Sequence, residues 1–460
     1  MAPPWGVGGK RPPKLSTLSL KKNSTMKLIK TNVFIFFLIL QQITFAQNPI
    51  LTLDEAIQKA LAQNLGIRVG QNDIQIAKNN AVKGNAGFLP NVNLIASETP
   101  SFGYLNQKLS SGSEINRTNL TNNVTAGVQL AWVLYDGKRM YLELDRLREL
   151  QGIGEINLRI RSEQIVYDVM RAYFNIVRNQ ELYNSLEEQM NLYEERFRIS
   201  QTRLEVGKGN QLDVYQAQTD LNVQKTNLLR QKQAIQTAKL QLNQAISNPP
   251  NIIYEVRDTL LIDKNYDFKA LSDDAVSKNL SIALLNKQTG IAMLVEKQIE
   301  ALRKPRIVFN SAFNIGRQDN TAGLFLVNQN TGLNAGITLS YPLYDGGNIK
   351  RQTENAKIEI ESNKWRMQQL QVDLVNTLNI AYQNYQNALE ILRGEAENAR
   401  VARLSIEIAM ERYRLSRSTV LELAQIQQGY ENAIFRSVAA KYEAKLAEID
   451  LMRISGMLIR

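Results

Sequence analysis

Leu134-Tyr135-Asp136-Gly137 ends a run of alternating apolar residues and opens a run with helical spacing; the chain repeats the step at Leu343-Tyr344-Asp345-Gly346. Before the first junction Val124, Ala126, Val128, Leu130, Trp132 and Leu134 alternate with Thr125, Gly127, Gln129 and Ala131, the period of a strand with unlike faces. Before the second, Ile337, Leu339, Tyr341 and Leu343 alternate with Thr338 and Ser340, and Pro342 demotes that strand to an edge or bulge. A partner strand precedes each, through Val92, Leu94 and Ala96 in one case and Ile307, Phe309, Phe313 and Ile315 in the other. Strands are expected near 91–104, 120–135, 306–317 and 332–344, with polar loops over 105–119 and 318–331.

Further out, each strand pair follows a helical stretch that ends at a proline. The first is capped by Thr52 or Asp54 and is expected to reach Phe88, before Pro90; the second runs from about Val276 to Lys304, before Pro305. The offset between copies is 215 residues from Pro90 to Pro305 and 209 from Tyr135 to Tyr344, which reads as one hairpin loop being six residues longer. Beyond each junction a proline-free helical pattern runs to about Val206 and Leu415, each roughly 100 Å at ~1.5 Å per residue. Each then turns back as a helical hairpin. Val214, Leu221, Leu228, Ile235 and Leu242 repeat every seven residues beside Ala217, Gln224, Gln231, Ala238 and Ala245. Two ladders on one helix imply neighbours on two sides, as in a closed ring or a sheet of helices. The domains read as 1–46, a leader and signal peptide, followed by two repeats, 47–269 and 270–460.

Composition removes several function classes. The 460 residues contain no Cys and no His, so thiol and imidazole nucleophiles and Cys/His metal sites are excluded, and no catalytic, cofactor or metal residue is assigned. Of the +11 net charge, seven basic residues with no acid lie in 1–46; the remaining +4 gives no nucleic-acid footprint. Met26-Lys-Leu-Ile-Lys30, an apolar run over Val33–Leu40, and Thr44-Phe45-Ala46 form an export signal, the competing reading being a short membrane anchor.

Four strands cannot close a barrel, and an open edge is unsatisfied in lipid. Strands of membrane length must therefore be pooled by several chains or be covered as a soluble sheet. Trp132, Tyr135, Tyr341 and Tyr344 stand at strand ends, where an aromatic girdle at a membrane interface would lie.

On these residues the chain resembles the TolC-like outer-membrane efflux (channel-tunnel) family over Leu51–Ile459. The resemblance rests on the duplicated order, on Val133-Leu-Tyr-Asp-Gly137 and Pro342-Leu-Tyr-Asp-Gly-Gly347, and on Arg203-Leu-Glu-Val-Gly207 with Leu212-Asp213-Val-Tyr-Gln-Ala217, which is similar to the family's hairpin tip. It implies a mainly helical chain with a transmembrane β part. A homotrimer would form a 12-stranded barrel on an α-helical tunnel in the outer membrane of a Gram-negative bacterium. Its implied partners are outer-membrane lipid, a periplasmic adaptor and an inner-membrane pump, and its role is an exit duct for efflux or type I secretion. The alternative is a periplasmic coiled-coil adaptor or scaffold without a pore. The resemblance places adaptor docking at Val206, Gly207, Lys208, Leu415, Ser416 and Arg417. Asp213 and Glu422 either line a pore mouth or stabilise the first turn of the returning helices. Asp136 with Gly137, and Asp345 with Gly346, are read as capping the strand-to-helix junctions. The second tip departs from the pattern in carrying Ser416 where the first has Gly207.

Overall fold

The computed structural model describes residues 49–262 and 265–458; the expected signal segment lies outside them. Among the described residues, 49–50 with 253–255 form a small unit of their own, in which Ile50 makes an isolated parallel bridge to Glu255. All elements below belong to the larger unit.

In chain order they are α1 (Leu53–Gln63), α2 (Leu65–Asn80), β1 (Asn91–Lys108), β2 (Glu114–Tyr135), α3 (Arg139–Glu205), α4 (Gln211–Ala245), α5 (Phe268–Lys278), α6 (Leu280–Ala301), β3 (Arg306–Asn320), β4 (Val327–Ser340), α7 (Asn348–Arg414) and α8 (Val420–Ile454). The duplication survives at the level of single residues. α3 and α7 have 67 residues each and α4 and α8 have 35 each.

The expected continuous first helix is instead two helices, and α2 stops at Asn80, short of Phe88. Asn64 makes the break: its backbone is extended (ψ 126°), and its side-chain oxygen accepts the Gly66 N–H at 2.7 Å, giving the chain an alternative to the helical bond. Asn279 does the same between α5 and α6, accepting from Ser281 and Ile282 at 2.8 and 3.3 Å. α6 then continues to Ala301, whereas Gly84 and Gly87 stand where that copy has Ile299 and Leu302. Glycine weakens the helix there, and Gly87 turns it at φ +90°.

The strands form one antiparallel sheet, ordered β1-β2-β3-β4. Both loop expectations need correction. Residues 105–108 and 114–119 are strand, as are 318–320 and 327–331. The six extra residues are not in the loop either. The β1–β2 ladder runs from Asn91↔Ala131 to Lys108↔Glu114, while β3–β4 runs from Arg306↔Ser340 to Asp319↔Val327. The first ladder is longer by four rungs, hence eight residues, and its turn leaves two fewer residues unpaired. Pro342 lies beyond β4, so the strand stops before the proline would delete a ladder bond.

Register sorts the side chains onto two faces. Val92, Leu94, Val128, Leu130, Phe313 and Leu333 share one, with Trp132, Phe309 and Ile337 below them. Asn93, Ser97, Gln129, Asn310, Asn314 and Asn334 share the other. No described element covers the apolar face: Leu94, Phe313, Leu333 and Ile337 are all exposed. Along β2 it runs from Val124 to Leu134, about 25 Å high for a strand tilted ~40°.

The helices bury their apolar stripes against one another. Leu271, Ile282, Leu374, Leu378, Tyr385 and Leu451 join α5, α6, α7 and α8, and Ile406, Met410, Tyr413, Leu423 and Tyr430 fill the second hairpin near its turn. No described helix is long and apolar enough to cross a membrane.

Candidate functional site

Three regions carry candidate residues: the strand-to-helix junctions, the hairpin tips, and a buried polar layer between the hairpins. At the first junction the Asp136 carboxylate accepts the Met140 N–H at 3.2 Å; at the second, Asp345 accepts from Gly347 and Ile349 at 3.0 and 2.6 Å. Each satisfies N–H groups that a helix start leaves free. Two successive residues then take left-handed backbone: Gly137 and Lys138 at φ 74° and 76°, Gly346 and Gly347 at 69° and 77°. Gly137 could not be otherwise, since a Cβ would lie 2.7 Å from the Ala301 carbonyl oxygen.

The aromatic residues expected at a membrane interface sit at the strand bases. The Trp132 indole donates to the Phe88 carbonyl at 2.9 Å, holding β2 to the segment that precedes β1. Tyr135 ends β2, while Tyr341 and Tyr344 follow β4 and are exposed, Tyr344 at 90%.

At both tips the long helix ends in the same motif. Lys208 N–H bonds the Arg203 carbonyl at 2.8 Å and Gly207 N–H bonds Leu204 at 3.0 Å; Arg417 to Arg412 and Ser416 to Tyr413 repeat those distances. The motif requires a left-handed residue, supplied by Gly207 at φ 72° and by Ser416 at φ 60°. Serine pays a steric cost there that glycine does not, so Ser416→Gly is expected to stabilise the chain by about 1 kcal/mol and Gly207→Ser to destabilise it by a similar amount. Thermal melts of the two variants check this, and equal melting points would remove the strain argument.

The returning helices start on side-chain caps, Asn210 accepting the Asp213 N–H at 2.8 Å and Thr419 that of Glu422 at 3.2 Å. The Glu422 carboxylate is also engaged locally, by Ser418 Oγ at 2.8 Å and Arg412 at 3.4 Å. Asp213 has no ion pair among the described residues. Val206, Gly207, Lys208, Leu415, Ser416 and Arg417 are exposed. Leu212 and Leu421 are exposed beside them at matching positions, and the sequence reading missed both, although the 209-residue offset marks them.

Also missed were the ties between hairpins. Tyr413 is buried in α7, shares a 2.8 Å hydrogen bond with Ser200 of α3, and lies under the Arg203 guanidinium at 4.0 Å. Arg203 donates to the Tyr413 carbonyl as well, and Arg414 pairs with Glu195.

About three helical turns from the tips, Arg196 of α3 is 1% exposed. Its guanidinium donates to Asp220 of α4 at 2.7 Å and to Gln427 of α8 at 2.8 Å. Gln189, Gln224 and Glu431 are buried in the same layer, whose residues come from three helices. Burial pushes the Glu431 carboxyl above the usual carboxylate range, against hydrogen bonds from Gln224 and Tyr193 that pull it down. A raised carboxyl stabilises the fold fully below its unfolded pKa, and that contribution is lost as pH rises through the folded value. Glu431→Gln cannot ionise, so its melting point should exceed the parent's by a margin that grows from pH 4 to pH 8. A margin independent of pH would contradict the assignment.

No group of acidic residues that could hold a metal ion occurs among the described residues. The family model described as "Outer membrane efflux protein" matches residues 56–248 and 296–457. The chain is similar to the outer membrane efflux protein BepC of Brucella suis, 19% identical over 88% of this chain and 85% of that protein. It is also similar to the outer membrane protein TolC of Escherichia coli K12, 19% identical over 88% and 82%. Its fold matches the crystal structure of the Campylobacter jejuni CmeC outer membrane channel with a TM-score of 0.69, at 16% identity over 88% of this chain and 85% of that one. With more than half its length matched, the chain belongs to the outer membrane efflux protein family.

Proposed function

We propose that three copies of this chain pool their strands into one closed 12-stranded barrel and their helices into a periplasmic tunnel, forming a passive exit duct for cargo delivered by an inner-membrane pump and a periplasmic adaptor. The sheet carries this reading. It has one exposed apolar face, one polar face, and two edges, β1 and β4, that no described strand covers. Such a sheet is unsatisfied in lipid until its edges meet those of another copy. A second feature agrees. Ile358, Trp365 and Val372 are exposed at seven-residue spacing on α7, an apolar stripe left for a neighbouring helix.

In this reading the apolar face meets lipid and the polar face lines the lumen, with Trp132, Tyr135, Tyr341 and Tyr344 near the periplasmic interface. The tips dock the adaptor through Val206, Gly207 and Lys208 and through Leu415, Ser416 and Arg417. Of the two tip acids, Asp213 is the better candidate for the pore mouth, because Glu422 is engaged by Arg412 and Ser418. Light scattering of the detergent-extracted protein should give the mass of three chains, and planar bilayers containing it should conduct ions. A soluble monomer without conductance would overturn the proposal and favour a pore-free periplasmic scaffold.

A further inference from the structure

Charge is divided between the two faces of the sheet in an uneven way. Seven charged residues lie in the four strands. Register places Glu98, Lys108, Glu114, Arg317 and Asp319 on the apolar face, where all are engaged: Lys108 with Glu114 at 3.0 Å, Arg317 with Asp319 at 3.0 Å, and Glu98 with Asn122 at 2.8 Å. The other two, Arg117 and Arg306, fall on the polar face, and neither has an ion pair among the described residues. That face holds no carboxylate at all among the strand residues.

Between the two arginines the wall is neutral and hydrogen-bonding. Asn93, Gln129, Asn310 and Asn334 line a groove of about 480 Å³, and Ser97 and Thr125 share a 2.7 Å hydrogen bond above it. Arg306 stands at the strand bases, where it lines a cleft of about 610 Å³ with Arg139 and Lys304. Two acids share that cleft, but Asp136 holds the Met140 N–H and Glu143 is held by Arg146 at 2.7 Å and Gln298 at 2.9 Å. Arg117 stands at the opposite end, in the part of the first hairpin that extends past the end of β3 at Asn320.

We infer that the barrel lumen selects for anionic cargo, with Arg117 at the exterior mouth and Arg306 at the base as the specificity-determining residues. The inference rests on the proposed closure of three sheets with the polar face inward. Closure would place three copies of each arginine in a ring, on strand walls that carry no carboxylate and above a base cleft where Arg139, Lys304 and Arg306 outnumber Asp136 and the Arg146-paired Glu143. Rings of like charge in a low-dielectric wall raise the local concentration of the opposite ion. The amides between the rings offer donors and acceptors to any solute without holding a cation.

The chain contains no cysteine, so Asn334→Cys supplies a single thiol at mid-height on the polar face. Reconstituted full-length protein would be treated from the exterior side with a sulfonate-bearing and a quaternary-ammonium methanethiosulfonate. Each rate is divided by that on a small free thiol, which removes intrinsic reactivity; the ratio of the two also cancels any change in thiol ionisation. The normalised ratio should favour the anion about fivefold at low salt. It should approach one in 1 M salt, where the screening length is ~3 Å. Arg117→Gln with Arg306→Gln should bring it close to one at low salt, while lysine at both positions retains it. A parent ratio at or below one, or a ratio unmoved by the double glutamine variant, would overturn the inference. Leu333→Cys, one residue away on the apolar face, is the control for closure. If the thiol at 334 reacts no faster than that at 333, the inward polar face and the duct reading fail together. If it reacts faster without charge preference, only the selectivity fails.

Discussion

Arginine at Leu333 is expected to abolish recovery of the assembled protein from the outer membrane, whereas arginine at Asn334 is expected to leave it intact. Leu333 is 72% exposed and shares its row with Leu94, Val128 and Phe313, at the middle of the apolar band. A cation on the lipid face at the bilayer midplane costs about 2–4 kcal/mol. Three copies in one ring would raise that to an order of 10 kcal/mol, comparable with the whole stability of many domains. Asn334 is adjacent in sequence but points to the opposite face, beside Asn93 and Gln129, where a charge remains in water. Semi-native electrophoresis of membrane extracts would compare the two. Similar yields would mean that the apolar face does not meet lipid.

The second large effect is expected at Arg196. Truncation to alanine leaves Asp220 and Gln427 without their shared donor inside a packed helical layer. Breaking a buried pair from one side typically costs 3–5 kcal/mol, and the low end applies because the Asp220 side chain is 25% exposed. The layer has little capacity to rearrange, since Gln189 Nε2, Gln427 Nε2 and Glu431 Oε1 already lack hydrogen-bond partners among the described residues. A loss of about 3 kcal/mol should therefore appear in the helical melt followed by circular dichroism. Replacing the set together, with Arg196→Met, Asp220→Leu and Gln427→Leu, should recover most of that loss, because no charge is then left unpaired. A single substitution costing under about 1 kcal/mol would show that the network contributes little beyond its packing.

These two sites differ in how far the amino-acid sequence discloses them. The alternation at Val124–Leu134 is visible because every second residue from Val124 is apolar, while Thr125, Gly127, Gln129 and Ala131 between them are polar or small. Asp136 and Asp345, with the tips at Gly207 and Ser416, are visible because each recurs at one offset. The extension of β2 was hidden because Glu114-Ile-Asn-Arg-Thr-Asn119 is polar or charged at every position but Ile115, and composition alone makes such a run look like a loop. Asn64 and Asn279 were hidden for another reason. Each interrupts an amphipathic pattern without proline, through a hydrogen bond that only the folded backbone reveals. The polar layer is the least legible feature, since Arg196 and Gln427 are 231 positions apart and neither lies in a recognisable motif. Buried Gln and Arg at heptad positions are the faint signal it leaves.

The unequal hairpins bear on symmetry. In the proposed ring the two copies within each chain alternate around the axis, so helices of matched length approximate a sixfold arrangement. The four extra rungs of β1 and β2 break that at the exterior rim, where three tall projections would alternate with three short ones. Gly207 and Ser416 break it at the opposite end, in side chain if not in backbone. A ligand with true sixfold symmetry would thus meet two classes of position at either end, and one with threefold symmetry would have a choice of two registers sixty degrees apart.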